Sequence, residues 1–95
     1  MREIGHFIDG KRVGGTSGRT SNVFNPATGE VQATVALASD AEILAAVESA
    51  KAAQPRWAAT NPQRRARVFF KFVELLNQNM DELATLLSSE HGKTV

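Results

Sequence analysis

Residues 60–92 read TNPQRRARVFFKFVELLNQNMDELATLLSSEHG, the part of the chain that is richest in large apolar side chains. Its apolar positions recur every three or four residues, which is the spacing of one face of an α-helix. They are Phe69, Phe72, Val73, Leu76, Met80, Leu83 and Leu87. We therefore predict a helix here, with Thr60 or Asn61 as its cap and Pro62 in its first turn.

This helix has a predicted interruption and more than one apolar side. The run Asn77–Asn79 favours a kink or short break, because Asn79 with Glu82 three residues later could form a second cap. Gly92 suits the left-handed conformation that closes a helix. Three apolar residues fall outside the main stripe, namely Phe70, Leu75 and Leu86. The helix thus needs partners on several sides, which predicts that the chain is cut from a larger protein or associates with itself.

An earlier helix is predicted to begin at Ser39, since Ser39-Asp40-Ala41-Glu42 matches a capping box. Its apolar stripe is narrow and rich in alanine, which favours tight packing against another element. The stripe comprises Ile43, Leu44, Val47 and Ala50. We expect the helix to end before Pro55, because proline cannot donate a helical hydrogen bond. Trp57 is expected to be a packing anchor between the two helices.

The first third of the chain contains sequence signals that are typical of strands and turns. Asp9-Gly10 between His6–Ile8 and Lys11–Val13 predicts a hairpin with a type I′ turn. After a glycine-rich connector, residues 20–24 are expected to be extended and to lead into a turn at residues 25–29. Val31, Ala33 and Val35 then alternate with polar residues, as in a strand with one buried face.

The fold class predicted from these elements is α+β, with a hairpin and strand over residues 1–37 and two α-helices over residues 39–95. The chain has 95 residues, of which 42% are hydrophobic and 22% charged, as in ordinary soluble proteins. A net charge of +1 provides no field for nucleic acid or anionic lipid. Without cysteine, these residues contain no disulfide or thiolate site. No apolar leader or membrane span is evident, so we expect a cytoplasmic protein.

Two glycine patterns could suggest phosphate binding, and both have a simpler interpretation. Gly92-Lys93-Thr94 resembles the end of a P-loop, but Leu87 stands where that loop requires glycine. A helix C-terminus with a basic residue near it explains the motif better. The glycines at positions 10, 14, 15 and 18 do not fit the dinucleotide-binding spacing and are interpreted as turn glycines.

The charged residues form no recognisable catalytic or metal-binding set. The basic cluster of Arg64, Arg65, Arg67 and Lys71 is interpreted as a solvated face or as ion pairs with an absent partner, with nucleic-acid binding as a minor alternative. His6 and His91 have no histidine or cysteine at ligand spacing and are expected to be surface or packing residues. The glutamates at positions 42, 48, 74 and 90 are expected to be helix-surface charges. We therefore predict no catalytic, cofactor-binding or metal-binding residue within this sequence.

The order of several short motifs resembles the N-terminus of aldehyde dehydrogenases. The similarity extends from about His6 to the last residue. The ending Glu90-His91-Gly92-Lys93-Thr94, where most members have Glu-Thr-Gly-Lys-Pro, is similar to the CoA-acylating methylmalonate-semialdehyde dehydrogenase branch. The residues that carry the resemblance are Phe7-Ile8-Asp9-Gly10-Lys11, Phe24-Asn25-Pro26-Ala27-Thr28-Gly29-Glu30-Val31, Ser39-Asp40, Pro55-Arg56-Trp57 and Asn61-Pro62-Gln63-Arg64-Arg65-Ala66-Arg67.

The resemblance implies a much longer enzyme with a Rossmann-like NAD domain, a catalytic domain and a small oligomerisation domain. Such an enzyme uses a cysteine to form a thiohemiacetal, transfers hydride to NAD and passes the acyl group to CoA. It would oxidise methylmalonate or malonate semialdehyde to propionyl-CoA or acetyl-CoA, as in valine catabolism, and act as a homo-oligomer. This segment would be an inactive structural part that braces the NAD domain. The alternative is a small helical module that associates with itself or a partner through its apolar face.

Overall fold

The computed structural model describes residues 1–95, which form five strands followed by three helices. The strands are β1 (Arg2–Ile4), β2 (His6–Ile8), β3 (Lys11–Val13), β4 (Thr20–Phe24) and β5 (Val31–Ala36). The helices are α1 (Asp40–Ala59), α2 (Pro62–Gln78) and α3 (Met80–His91). The α+β class is confirmed, and the expected break in the second helix separates α2 from α3.

Strands β2 and β3 form the predicted hairpin as a separate two-stranded sheet. His6 pairs with Val13 and Ile8 pairs with Lys11 in antiparallel register. At the turn Asp9 has φ 55° and Gly10 has φ 74°. A type I′ turn needs positive φ at both central positions, which asparagine, aspartate and glycine tolerate best. The sequence prediction for this turn is confirmed.

A second sheet has the strand order β1-β5-β4, with β1 parallel and β4 antiparallel to the central strand. Ala33 of β5 lies between Arg2 of β1 and Val23 of β4, and it is the one fully buried residue of the chain. The predicted strands at residues 20–24 and 31–35 are confirmed. Strand β1 was not predicted, since three residues with no alternation give no local signal for a pairing 31 positions away.

The turn between β4 and β5 is fixed by Asn25. Its Oδ1 accepts a hydrogen bond from the Ala27 N–H at 2.9 Å, and its own N–H donates to the Glu30 carbonyl at 2.8 Å. Gly29 has φ 76°, a conformation that most side chains disfavour. The predicted turn at residues 25–29 is therefore confirmed.

Helix α1 begins as predicted but ends later. Both halves of the capping box at Ser39 and Glu42 are formed. The expectation that the helix ends before Pro55 is wrong, because Pro55 lies inside it. Proline removes one hydrogen bond in the interior, yet the last turn is secured by Thr60, whose N–H donates to the Trp57 carbonyl and whose Oγ1 donates to that of Arg56.

Helices α2 and α3 confirm the break but not the second cap. Asn61 caps α2 by accepting a hydrogen bond from the Arg64 N–H at 2.9 Å, with Pro62 following it. Asn79 makes no side-chain cap to α3, and its Nδ2 instead donates backwards to the Leu75 carbonyl at 2.8 Å. Asn79 therefore ends α2 rather than starting α3 through its side chain. Gly92 closes α3 in the predicted left-handed conformation, with φ 87°.

The elements do not enclose a common core. The radius of gyration is 17.0 Å, whereas a compact domain of this length has about 12 Å. The accessible surface is 7756 Å², against about 5,400 Å² expected for a folded monomer of this mass. The excess surface is in large part apolar, since 18 large apolar side chains are exposed.

Candidate functional site

The largest feature that could bind another molecule is the apolar surface of the three helices. Phe70 is 70% exposed and Phe72 is 54% exposed, and no helix contains a buried residue. Other exposed members of this helical apolar surface are Ile43, Leu44, Val47, Val68, Phe69, Val73, Leu75, Met80, Leu83 and Leu87. So many exposed large apolar side chains on three successive helices are typical of a surface that binds another part of a protein.

The stripe on α1 is part of this surface. We expected Ile43, Leu44 and Val47 to pack tightly against another element, and within these 95 residues that expectation is wrong, because each side chain is more than half exposed. The strands pack mainly on one another and leave the stripe uncovered. Phe70 and Leu75 had predicted apolar partners on several sides of α2. Both side chains are exposed, so no other part of the chain supplies these partners.

Trp57 joins the first two helices, as predicted. Its ring stands edge-on to Phe69 of α2, with the ring centroids 6.4 Å apart and an angle of 61° between the planes. This arrangement is favourable for aromatic pairs. The contact also requires α1 to continue past Pro55, since Trp57 lies in the added turn.

A polar cluster at the start of α1 is the second feature. Glu42 Oε1 accepts hydrogen bonds from the N–H groups of Ser39 at 3.0 Å and Thr16 at 3.2 Å. Its Oε2 lies 3.6 Å from Nε2 of His6 on β2. The side chains of His6 and Glu42 are only 17% and 13% exposed. Glu42 is therefore no surface charge, contrary to expectation, whereas His6 is a packing histidine as expected.

The surroundings of Glu42 stabilise its charged form. Hydrogen bonds, of which that from the Ser39 backbone N–H has the largest effect, lower the pKa of the Glu42 carboxyl from 4.5 to about 2 and outweigh the opposing effect of burial. The N–H of Thr16 acts in the same direction. No sequence pattern pointed to Thr16, because the capping box explains only the Ser39 half of the cluster.

A cleft of about 880 Å³ opens beside this cluster, between the hairpin, β1 and the end of α3. Among the residues that line it are Arg2, His6, Gly15, Thr34 and Glu90. The buried Nε2 of His6 has no hydrogen-bond partner, so it activates no hydroxyl group. The cleft therefore contains no pair of nucleophile and base.

The other motifs occupy the positions that their simpler interpretations predict. Gly92 is the cap of α3, Leu87 lies within that helix, and Ser88 Oγ donates to the Lys93 carbonyl. No strand leads into these residues. Gly10 and Gly18 have positive φ, as turn glycines often do. The Gly92-Lys93-Thr94 sequence is a helix end and not a phosphate loop.

Only part of the basic cluster on α2 has ion-pair or hydrogen-bond partners within the chain. Lys71 forms an exposed ion pair with Glu74 at 3.3 Å. The buried Nε of Arg65 has no hydrogen-bond partner within the chain. No group of three or more acidic, histidine or cysteine side chains is placed to hold a metal ion. No helix combines the length and the apolar character needed to cross a membrane.

Comparison with known proteins assigns the chain to a family. Residues 13–95 match the model of the aldehyde dehydrogenase family. A malonate-semialdehyde dehydrogenase of Pseudomonas aeruginosa is 42% identical over the full chain, which covers 19% of that protein. Malonate-semialdehyde dehydrogenase 3 of Geobacillus kaustophilus is 46% identical over 97% of the chain and is likewise covered to 19%. The chain thus spans about a fifth of the length of these relatives.

Two solved structures share both the fold and the sequence. One, proposed to be a methylmalonate-semialdehyde dehydrogenase of Sinorhizobium meliloti and complexed with NAD, is 81% identical, with a TM-score of 0.91 over 96% of this chain and 18% of its own. The methylmalonate-semialdehyde dehydrogenase of Oceanimonas doudoroffii is 46% identical, with a TM-score of 0.90 and the same coverage. The resemblance inferred from the short motifs is confirmed, and the chain belongs to the aldehyde dehydrogenase family.

Proposed function

We propose that residues 1–95 are the N-terminal structural segment of a longer NAD-dependent, CoA-acylating aldehyde dehydrogenase. Its substrate would be methylmalonate or malonate semialdehyde, and its products propionyl-CoA or acetyl-CoA. The observation that carries the proposal is the uncovered apolar surface of α1, α2 and α3 in a chain that spans about a fifth of its relatives. A segment with this surface needs a larger body to cover it.

The segment is proposed to brace the NAD domain without touching the cofactor. In the first turn of α1 the Glu42 N–H is already bound by Ser39 Oγ, and the negatively charged Glu42 carboxylate lies beside it, which disfavours a pyrophosphate there. We therefore place the NAD site, the nucleophilic cysteine and the CoA site in the remainder of the enzyme. Residues 1–37 and 39–95 would be the strand and helical parts of one segment, in a cytoplasmic homo-oligomer.

A chimera tests this function. Residues 1–95 would replace the corresponding segment of the Sinorhizobium meliloti relative, to which they are 81% identical. Purified chimera would be supplied with malonate semialdehyde, NAD and CoA, and NADH would be followed by absorbance while the acyl-CoA product is quantified. We expect activity comparable to that of the intact relative, with acyl-CoA formed only when CoA is present.

Control experiments distinguish the proposed bracing role of the segment from the proposed CoA-acylating reaction. The relative with its first segment deleted should be inactive or insoluble, because the surface that covers the helices would be exposed. A folded, active deletion variant would contradict the bracing role. Oxidation of the aldehyde without acyl-CoA formation would contradict the CoA-acylating branch and leave the brace intact. Stable, cooperative self-association of the 95-residue chain at micromolar concentration would favour the interaction module instead.

A further inference from the structure

The β2–β3 hairpin has no strand pairing to the rest of the chain. It forms a sheet of two strands, whereas β1, β5 and β4 form another. An isolated two-stranded hairpin is only marginally stable in water. Its position, and much of its order, must therefore come from side-chain contacts with neighbouring elements.

Two contacts hold the hairpin against α1. At its tip, Ser49 Oγ donates a hydrogen bond to Asp9 Oδ1 at 3.3 Å in an exposed position. At its base, both oxygens of Glu42 are used, one by the N–H groups of Thr16 and Ser39 and the other facing His6. At the base the His6 and Glu42 side chains are only 17% and 13% exposed, whereas the Thr16 N–H lies in an exposed position. The base contact involves a charge and the tip contact does not, so the base contact is the stronger of the two.

The connector after the hairpin is shaped to bring Thr16 to Glu42. A Cβ on Gly15 would lie 2.6 Å from the Cβ of Ala36 and 3.7 Å from Nε2 of His6. Only glycine permits this approach. One carboxylate thus joins the connector, strand β2 and the start of α1, three segments that no strand pairing links.

We propose that Glu42 is a latch that docks the hairpin on α1, and that removing its carboxylate charge releases residues 6–16 together while the three-stranded sheet stays formed. The other ionisable groups along the same cleft are Arg2, Glu3, Arg12 and Glu90, and none forms an ion pair with His6 or Glu42. At the base of the hairpin the latch therefore rests on Glu42, and the exposed Ser49–Asp9 hydrogen bond at the tip is the weaker second contact. This role is independent of the chemistry of the dehydrogenase, and it concerns the segment's own conformational stability.

Amide hydrogen exchange of the chimera, read by mass spectrometry, tests the latch. Peptides that cover residues 6–16 would be compared in the parent chimera, Glu42→Gln and Glu42→Ala. Hydrogen bonds to charged groups contribute enough that their loss should speed exchange of these peptides about tenfold or more. Peptides from β4 and β5 should be unchanged. Glu42→Gln retains the shape of the side chain, so it reports on the charge even if Glu42→Ala folds poorly.

Two matched variants distinguish a latch from a helix cap. Ser39→Ala removes the hydroxyl that accepts the Glu42 N–H but keeps the Ser39 N–H that Glu42 binds. It should speed exchange in the first turn of α1 and leave residues 6–16 protected. Glu48→Gln changes an exposed charge on the same helix and should change neither region.

Three outcomes would overturn the proposal. These are exchange of the hairpin at free-peptide rates in the parent chimera, unchanged hairpin exchange in both Glu42 variants, or hairpin release by Ser39→Ala as well. NADH formation in the same samples separates this test from the proposed function. An active chimera with a hairpin insensitive to Glu42 contradicts only the latch, whereas an inactive chimera with a Glu42-dependent hairpin supports the latch and contradicts the enzyme assignment.

Discussion

The two halves of this chain use their apolar residues differently. In the strand half, β5 is paired on both sides and Ala33 is fully buried. Two hydrogen bonds tie the connector to the residues before α1. Ser17 donates to the Leu37 carbonyl, and Arg19 donates to the Ala38 carbonyl. In the helical half no side chain is buried and the phenylalanines of α2 face solvent. The strand half therefore has a small internal core at Ala33, although Phe7 and Phe24 stay exposed, whereas the helical half has no buried side chain at all.

The largest predicted effect comes from placing a charge on the helical apolar surface. Phe72→Asp in the chimera would bury an unpaired carboxylate against the remainder of the enzyme, which costs several kcal/mol, about 4 or more, and should abolish soluble active protein. In the 95-residue chain alone the same change should alter stability by less than about 0.5 kcal/mol, because Phe72 is exposed there. Soluble yield, NADH formation and thermal unfolding measure both effects.

Gln78→Asp is the matched control for this comparison. Gln78 lies on the polar side of α2, where its amide donates to Glu74. The chimera with this change should remain soluble and active. Equal loss of activity in the two variants would show that α2 tolerates no new charge on either side. The assignment of an apolar side and a polar side to this helix would then be wrong.

Overpacking the strand half should have an intermediate effect that does not depend on a partner. Ala33→Leu adds three carbons where no space exists, and it should lower the free energy of unfolding of the chimera by about 1–3 kcal/mol in urea. Ala41→Leu, on the exposed side of the first turn of α1, should stay within about 0.5 kcal/mol of the parent. If Ala33→Leu is neutral, the sheet is not packed as described.

A smaller effect is predicted for the two asparagines that border α2. Asn61→Ala removes a side-chain cap and should cost about 1 kcal/mol of unfolding free energy in the chimera. Asn79→Ala should cost less, because Asn79 caps no N–H of α3 and alanine favours a continuous helix. Urea unfolding of both variants measures the difference. A larger loss at Asn79 would contradict the assignment of the cap.

These asparagines also show what could be read from the sequence. The hairpin turn, the capping box, the Asn61 cap and the break near Asn79 were predictable, because each depends on residues close together along the chain. The end of α1, wrongly predicted before Pro55, and the missed strand β1 depend instead on residues far apart along the chain. The Trp57–Phe69 contact lies in the turn that continues beyond proline, and β1 forms only by pairing with β5. Distant contacts override local preference in both places.

The candidate site was likewise only partly predictable from the sequence. The capping box placed Glu42 next to Ser39, but no local pattern indicated that Thr16 and His6 reach the same carboxylate. The apolar residues outside the main stripe of α2 did predict an uncovered surface, since their spacing alone shows that one partner is insufficient. The proposed identity of the covering body comes from the family resemblance.

Acid should remove the stabilising contribution of Glu42, which is fully present at neutral pH. Its pKa is lowered from 4.5 to about 2 in the folded chain, so the unfolded state binds more protons between these values. The stability from Glu42 is therefore complete above pH 4.5 and is lost as the pH falls towards 2. Urea unfolding of the chimera across this range should be less dependent on pH in Glu42→Gln. Identical slopes for both proteins would contradict the assigned hydrogen bonds.

Side-chain footprinting by hydroxyl radicals tests the central claim most directly, because it compares the helical apolar surface in the 95-residue chain and in the chimera. Phe70, Phe72 and Met80 are 70%, 54% and 52% exposed in the chain alone. We predict that their oxidation rates fall several-fold in the chimera, as the remainder of the enzyme covers them. Equal rates in a folded, active chimera would show that this surface is not the one that the dehydrogenase uses.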